Sequence, residues 1–196
     1  MSDQPSSRRT RRRQILEAAM DVFAEQGYSG ATISEIERRV GLAVGTGSLY
    51  RHFPSKEALL REAVEYEVTR CRTEAESARA GLPHLGDPVE RQVQRFRQAL
   101  GDIQRFDRLF RLMLNDGARV PELADAVWTA VGRRLERRAT SEEDVFDAIA
   151  LTSLGGYHLF SLMQGRPFNG VPEEQLIRLL AELTNPAEEG RQPAAS

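Results

Sequence analysis

Residues 31–60 read ATISEIERRVGLAVGTGSLYRHFPSKEALL, a pattern of two short helices and the start of a third. Thr32 and Glu35 have the spacing of a capping box, in which the hydroxyl accepts a backbone N–H and the carboxylate reaches back. Apolar residues then recur at helical spacing up to Val40. Gly41 follows, and glycine adopts the left-handed conformation after a last helical turn at the lowest cost. The pattern predicts a short helix between Thr32 and Gly41.

A second helical segment, residues 48–53, is predicted after a turn through Leu42 and Val44. Pro54 ends that segment, and Ser55 can cap a third helix that begins directly after it. Two short helices joined by a tight turn, the second bearing polar, aromatic and basic side chains, are typical of a helix-turn-helix. The stretch therefore predicts an element that reads DNA.

Composition limits the class of protein. The 196 residues, 40% hydrophobic and 29% charged, are enough for one large soluble domain or two small ones. Cys71 is the only cysteine, so no internal disulfide can form, which suits a reducing compartment. The sequence has no run of about 18 consecutive apolar residues and no apolar signal-peptide core near its start. We therefore expect a cytoplasmic protein with no membrane partner.

The net charge of −2 hides an asymmetry along the chain. Residues 1–60 hold nine Lys/Arg and seven Asp/Glu, whereas the remainder holds 18 and 22. A basic cluster before a helix-turn-helix can follow DNA phosphates and release counterions, although such clusters are also common in solvated tails. The cluster consists of Arg8, Arg9, Arg11, Arg12 and Arg13.

The rest of the sequence is also helical in pattern, and no alternating strand-like run appears. We expect an all-α fold with about nine helices, a class built by packing helix on helix. The predicted domains are a disordered basic arm (1–10), a helix-turn-helix domain (11–55), a helical effector-binding and dimerisation domain (56–185) and a disordered tail (186–196). The predicted helices outside residues 31–55 are 11–26, 56–80, 88–105, 107–114, 121–138, 142–163 and 172–183.

The order of a first helix, Gly27-Tyr28, Thr32, Ile36, Gly41 and then LYRHFPSKEALL at residues 49–60 resembles the N-terminal domain of the TetR (tetracycline repressor) family of transcriptional regulators. The match covers residues 11–61, and the Leu-Tyr-x-His-Phe-x-Ser-Lys-Glu run is its most specific part.

Two features depart from the family pattern. The step from Gly41 to the Leu-Tyr pair is two residues longer here and contains Gly45-Thr46-Gly47. In addition, Glu37 and Val40 stand where the family usually places alanines. The longer turn leaves open which residues at the start of the recognition segment face the bases.

The resemblance implies specific DNA contacts. Tyr50 and Lys56 match phosphate-contacting residues, and Lys56 begins a helix whose dipole favours an anion. Thr32 matches a cap position that often donates to a phosphate. Thr46, Ser48 and Arg51 are candidates for base contacts, because hydroxyl and guanidinium groups read base edges. Each of the polar residues in the set could instead be a cap or a surface residue, and Arg51 could bind phosphate. The expected DNA-contacting set is Thr32, Thr46, Gly47, Ser48, Tyr50, Arg51, His52, Lys56, Arg8, Arg9, Arg11 and Arg12.

For the C-terminal part of the chain, the resemblance implies a dimer and a small-molecule site. Helix 142–163 is apolar almost all round, so it must be buried on two sides, and the last helix carries a second apolar stripe. The expected dimer interface is Val145, Ile149, Gly155, Gly156, Leu159, Leu176 and Leu180, unless both stripes pack within the monomer. A pocket for a lipophilic effector is expected around Phe96, Phe106, Phe110, Met113, Trp128, Tyr157 and Phe160, for which plain core packing is the alternative.

Catalysis is not expected. The three histidines, His52, His84 and His158, lie on separate segments, and none forms a spaced ligand pair with Cys71 or a carboxylate. The sequence has no dinucleotide-binding glycine motif after a strand, no phosphate loop and no G-x-S-x-G elbow. We therefore expect neither a cofactor nor a metal.

The function most consistent with these features is a homodimeric, ligand-responsive transcriptional regulator, specifically a repressor released from its DNA operator by a small molecule. One alternative is a helix-turn-helix activator or DNA-organising protein without an effector. Another is an all-α ligand-binding or scaffold protein whose motif no longer reads DNA, an alternative that the longer turn keeps open.

Overall fold

The computed structural model describes residues 4–45, 47–79, 86–116 and 142–184. This part of the chain contains seven α-helices, two short 3-10 helices and no strand, as the all-α prediction requires. The predicted helix 121–138 lies outside the described residues. The α-helices are α1 (Gln4–Gly30), α2 (Ile33–Val40), α3 (Lys56–Arg79), α4 (Pro88–Gln104), α5 (Asp107–Asp116), α6 (Glu142–Gln164) and α7 (Glu173–Thr184), and the 3-10 helices are Leu49–Arg51 and Phe168–Gly170.

The helices form two compact units. The N-terminal unit contains α1, α2, α3 up to Glu76, and α5, whereas the C-terminal unit contains the end of α3, α4, α6 and α7. This division differs from the predicted domain boundary at residue 56, because apolar residues of α3 and α5 share one buried cluster with α1. Sequence order alone does not reveal that α5 returns to the N-terminal unit.

The core of the N-terminal unit joins distant parts of the chain. Ile15 and Phe23 of α1 are fully buried together with Leu49 of the 3-10 helix and with Leu109 and Leu112 of α5. Fully burying a large apolar side chain stabilises a fold by roughly 1.5–3 kcal/mol. The 3-10 helix is therefore held on the unit by Leu49.

The first helix begins earlier than expected. Residues 4–10 are helical, so the predicted disordered arm over residues 1–10 is wrong for this segment. Arginine is a good helix former, and extending an existing helix costs far less than nucleating one. Arg13 and Glu17 also form an ion pair one turn apart, with a distance of 2.9 Å between Nε and Oε1.

The core of the C-terminal unit is formed by α4, α6 and α7. It contains Phe96 and Leu100 of α4, Leu154 of α6 and Ile177 of α7. The hydroxyl of Tyr157 donates to the carbonyl oxygen of Val171 at 2.7 Å and ties α6 to the segment before α7.

In the part of the chain that the structure describes, one side of α6 is buried, whereas the sequence pattern predicted burial on two sides. Exposed apolar side chains on the other side are Val145, Phe146, Ile149, Phe160 and Met163. Within the described residues, the segment Val145–Gln164, with a mean hydropathy of 1.2, is long and apolar enough to cross a membrane by length and composition alone. Among the described residues, none covers this exposed side, which is a continuous apolar surface of the kind that marks an interaction site.

Candidate nucleic-acid interface

The first helix of the helix-turn-helix, α2, has a defined cap at each end. The Thr32 hydroxyl accepts the Glu35 N–H at 3.1 Å, as predicted. The Glu35 carboxylate pairs with Arg38, so in the described contacts only the threonine half of the predicted capping box is formed. Gly41 has φ of 71° and closes α2 in the left-handed conformation, as its position predicted.

The recognition segment is shorter than predicted. In place of a helix over residues 48–53, the structure has one 3-10 turn, Leu49–Arg51. Gly47 precedes it with φ of 65°, and Pro54 follows it and disfavours helical backbone at Phe53. Leu49 and Phe53 are fully buried and anchor the turn, whereas Tyr50 is 52% exposed. The exposed Tyr50 and Arg51 are therefore presented from a firmly packed turn.

The start of α3 holds a basic group next to an aromatic ring. The Ser55 hydroxyl accepts the Ala58 N–H at 3.1 Å, which confirms Ser55 as the cap. The ammonium of Lys56 lies 4.5 Å from the centre of the Tyr28 ring. Because cation–π contact and the α3 dipole both act here, the site combines a positioned cation with a helix N-terminus that favours anions.

Tyr28 also binds the acid next to this lysine. Its hydroxyl donates to Oε1 of Glu57 at 2.5 Å. The pKa of Glu57 is lowered to about 2, with the largest effect from this hydrogen bond and the next largest from a hydrogen bond of the Glu57 backbone. Burial and the Glu57 acceptor raise the pKa of Tyr28 to about 12. Glu57 therefore stays ionised and Tyr28 stays protonated across the neutral range.

Arg12 has a structural role. Its guanidinium donates to the His52 carbonyl oxygen at 3.0 Å, pairs with Glu62, and lies 4.4 Å from the centre of the Phe53 ring. It therefore holds the end of the recognition segment against α1 and α3. Arg9 and Arg11 of the same basic cluster lie on α1, where Arg11 bonds Gln14 at 3.3 Å.

The structure places the predicted DNA-contacting residues that it describes in the N-terminal unit. Thr46 and the side chain of Arg8 lie outside the described residues. Ser48 is buried, and its hydroxyl has no partner among the described atoms, so it is placed less favourably for a base contact than Tyr50 and Arg51.

The residues expected to line an effector pocket are divided between the two units. Phe106, Phe110 and Met113 pack in the core of the N-terminal unit. Phe96 and Tyr157 are buried in the C-terminal unit, where Phe160 is exposed and stacks on Phe168 with 4.9 Å between ring centres. Trp128 lies outside the described residues. A pocket of about 290 Å³ between α1 and α2 has a different, largely polar lining of Arg11, Gln14, Glu17, Ala18, Arg39 and Val40.

The residues expected in a dimer interface differ in their exposure between α6 and α7. On α6, Val145 and Ile149 are exposed, and a Cβ added at Gly156 would meet open space. A Cβ added at Gly155 would instead contact Ile103 at 3.9 Å. Leu159 is half-buried, and Leu176 and Leu180 of α7 pack on the core of their own unit. The exposed apolar residues of α7 are Leu179 and Leu183, which belong to the predicted apolar stripe but not to the expected interface set.

Residues 15–63 match the model of the family described as bacterial regulatory proteins, tetR family. The chain is TetR-like. Among curated relatives, this TetR-like chain is 29% identical over 151 residues to the HTH-type transcriptional repressor KstR of Rhodococcus jostii, covering 74% of the chain and 68% of the relative. It is 42% identical over 72 residues to the HTH-type transcriptional repressor Rv1474c of Mycobacterium tuberculosis, covering 37% of the chain and 36% of the relative. The second match thus spans little more than a third of that repressor.

Solved structures share the fold of the TetR-like chain. A putative TetR-family transcriptional regulator from Mesorhizobium loti has a TM-score of 0.64 at 21% identity, covering 93% of this chain and 98% of that one. The fatty acid degradation regulator FadR from Bacillus halodurans has a TM-score of 0.59 at 18% identity, covering 97% and 100%. At these identities the likeness concerns the fold alone.

Two further residues of the TetR-like chain make contacts that the sequence did not predict. Tyr28 contacts both Lys56 and Glu57, and the only available signal was its place beside Gly27 in the family pattern. Glu37 is buried and accepts the Gly45 N–H at 2.9 Å. Its signal was a charged residue at a position where the family has alanine.

Proposed function

We propose that this TetR-like protein is a transcriptional repressor that binds a DNA operator as a homodimer and is released by a small lipophilic molecule. One observation carries the proposal. Tyr50 and Arg51 are exposed on an anchored 3-10 turn, and Lys56 follows at the capped start of α3. The matched family and the relatives with named functions are regulators rather than enzymes. The site of action is the cytoplasm, where the DNA is.

Phosphate contacts in this proposal come from Lys56, from the N-terminus of α3 and from Tyr50. A helix N-terminus binds anions because its first N–H groups lack intrahelical partners and its dipole is positive there. Arg51, with its planar set of donors, is the candidate for a base contact. Arg9 and Arg11 add a contribution that depends on salt rather than on sequence.

The dimer in this proposal uses the exposed side of α6 and α7. Val145, Ile149 and Gly156 recur at helical spacing on α6, and Leu179 and Leu183 extend the apolar surface on α7. The open space above Gly156 lets a second helix approach closely. A two-fold pairing of this surface buries it and presents two recognition segments to two half-sites about 34–36 Å apart on DNA.

The DNA part of the proposal is tested by fluorescence anisotropy on duplexes tiling the region upstream of the protein's own gene, at two salt concentrations with random competitor. We expect competitor-resistant binding to one tile and its loss in the Tyr50→Ala, Lys56→Ala double variant. The matched control is Arg111→Ala, Leu114→Ala, which removes an exposed cation and an exposed apolar side chain from α5 of the same unit. Equal, weak and strongly salt-dependent binding to every tile would contradict sequence-specific regulation.

Lys56 allows a direct footprint, because it is the only lysine in the sequence. Acylation of its amine, followed by mass spectrometry of the peptide, should fall when the bound tile is added and stay unchanged with a random duplex at the same salt. Release of the tile by members of a lipophilic metabolite library tests the effector part. A tile bound specifically but released by no compound would favour the activator or DNA-organising alternative.

A further inference from the structure

Glu37 is an acidic side chain buried in the middle of the DNA-reading motif. It lies on α2 and is only 1% exposed. Its Oε2 accepts the backbone N–H of Gly45 at 2.9 Å, whereas its Oε1 has no hydrogen-bond partner among the described atoms. Burying a carboxyl group with half of its bonding capacity unused is costly. Such a group persists where the contact that it does make is needed.

That contact supports a weak point of the backbone. Gly45 and Gly47 have φ of 76° and 65°, left-handed conformations that glycine adopts freely and that add little stiffness. Leu42 packs against the core at the start of the turn, whereas Val44, directly before Gly45, is half exposed. The carbonyl oxygen of Glu37 also accepts the Leu42 N–H at 2.8 Å. One residue thus holds both the start and the middle of the turn.

The turn leads directly into the recognition segment. Three residues after Gly45 the chain enters the core at Ser48 and Leu49, and then exposes Tyr50 and Arg51. The far end of the segment is fixed by the buried Phe53 and by Arg12, which donates to the His52 carbonyl oxygen. The direction in which Tyr50 and Arg51 point is therefore set by the turn at one end and by these anchors at the other.

We propose that Glu37 is a positioning residue that sets the sequence specificity of the recognition segment by fixing the longer turn. The inference rests on the proposed DNA-binding function and deepens it. It also joins the two departures from the family pattern: the extra residues of the turn bring in a backbone donor, and the acid that replaces alanine accepts from it. Each departure compensates for the other.

The test is a cycle of variants in the full-length protein. Glu37→Ala removes the acceptor, Glu37→Gln keeps it, and deletion of Val44 and Gly45 restores the family spacing; the deletion is made alone and together with Glu37→Ala. Each protein is measured for its affinity ratio between the tile bound by the wild type and a random duplex of equal length. Thermal unfolding shows which variants are folded, and amide exchange of Gly45 by NMR reports the contact without DNA.

We expect Glu37→Ala to lower the affinity ratio about tenfold, the size of one lost base contact, with unchanged random-duplex binding. Glu37→Gln should retain the ratio, and Glu37→Ala combined with the deletion should recover it. The Gly45 amide should exchange about tenfold faster in Glu37→Ala than in Glu37→Gln, because local opening becomes easier.

Two results would overturn the positioning role: an unchanged affinity ratio in Glu37→Ala, or an unchanged exchange rate of the Gly45 amide. No recovery in the shortened protein carrying Glu37→Ala would refute the compensation. A wild-type protein that prefers no tile is a different result, because it refutes the proposed function. The exchange measurement still tests the turn in that case.

Discussion

At the scale of single residues, Gly27 shows why a glycine is required. Its φ is 71°, and a Cβ at this position would overlap Oδ2 of Asp116. The same oxygen accepts the Tyr28 N–H at 2.5 Å, and the other carboxylate oxygen accepts from the Ser29 hydroxyl. The connection between α1 and α2 is thus closed by a side chain from α5, and the absence of a Cβ makes room for it.

Tyr28→Phe tests the hydrogen bond between Tyr28 and Glu57. The pKa of Glu57 is lowered to about 2, chiefly by the Tyr28 hydroxyl, so this contact stabilises the folded state above the ordinary carboxyl pKa and is lost as pH falls through the folded value. We expect the variant to raise the pKa of Glu57 toward its ordinary value and to reduce the loss of stability between pH 4.5 and pH 2.

The measurement is the pH dependence of the Glu57 carboxyl chemical shift. Tyr66→Phe is the matched control, since the Tyr66 hydroxyl donates to Glu17 at 2.8 Å and does not touch Glu57. A Glu57 titration that stays near pH 2 in Tyr28→Phe would contradict the assignment.

Local signals at this scale were readable from the sequence. Thr32, Gly41 and Ser55 act as the caps that their spacing predicts, because capping depends on a few neighbouring residues. Arg12 was assigned to the DNA-contacting basic cluster because of its neighbours, yet it binds Glu62 and the His52 carbonyl oxygen. Contacts across 40 and 50 positions leave no local pattern.

At the scale of elements, α5 is joined to α1 and α3 by a buried charge network. Glu67 of α3 is fully buried and receives two guanidinium groups, from Arg70 of the same helix and from Arg108 of α5. Arg108 reaches Glu67 through Nε at 2.9 Å and Nη2 at 2.7 Å, and reaches Asp21 of α1 through Nη1 at 2.7 Å. Although burial lowers it, the pKa of Arg108 is raised overall by Asp21 and Glu67.

Arg108→Gln should destabilise the protein because it removes one partner of a buried acid. We expect a loss of about 2–3 kcal/mol, less than for an isolated buried pair because Arg70 still contacts Glu67. Urea unfolding followed by circular dichroism measures it. Arg97→Gln is the control: its partner Glu174 is exposed, and surface pairs contribute below about 1 kcal/mol. Equal losses in both variants would contradict the role of the network.

Helix positions were predictable because their signals are periodic and their breakers are local. Pro88 starts α4, and α6 begins at Glu142 as expected. The recognition segment was predicted too long because its composition is helical. Gly47 and Pro54 lie at its two ends and confine the helical backbone to one 3-10 turn. The start of α1 was predicted too late because a run of arginines favours helix as well as solvation.

At the scale of the whole molecule, the proposed dimer has its interface on the exposed side of α6 and α7. Ile149→Glu places a charge on this surface where Ile149 is 57% exposed, so it should leave the monomer fold intact. We expect a shift from dimer to monomer in analytical ultracentrifugation, with weaker binding to the operator tile. Leu114→Glu adds the same charge at a comparably exposed position on α5 and should remain dimeric. A dimeric Ile149→Glu protein would place the interface elsewhere.

The sequence indicated an apolar surface on α6 and α7 but not which residues it exposes. Leu176 and Leu180 form one row of α7, and Leu179 and Leu183 form the next. Both rows have helical spacing, and the packing of α7 on α4 and α6 decides that the first lies inside the unit. The assignment of rows is a property of the assembled unit, not of any one helix.

The return of α5 to the N-terminal unit has a consequence for synthesis on the ribosome. The first 76 residues emerge as a nearly continuous part of that unit, but Leu109 and Leu112 follow only later. At about 5–20 residues per second, the incomplete core waits roughly 2–7 s for them. During that interval the matching face of α1 and the Glu67 carboxylate have no α5 to cover them. We therefore expect a chaperone to bind the N-terminal unit while it is being synthesised. A fragment that ends after α3 would keep this face of α1 exposed permanently.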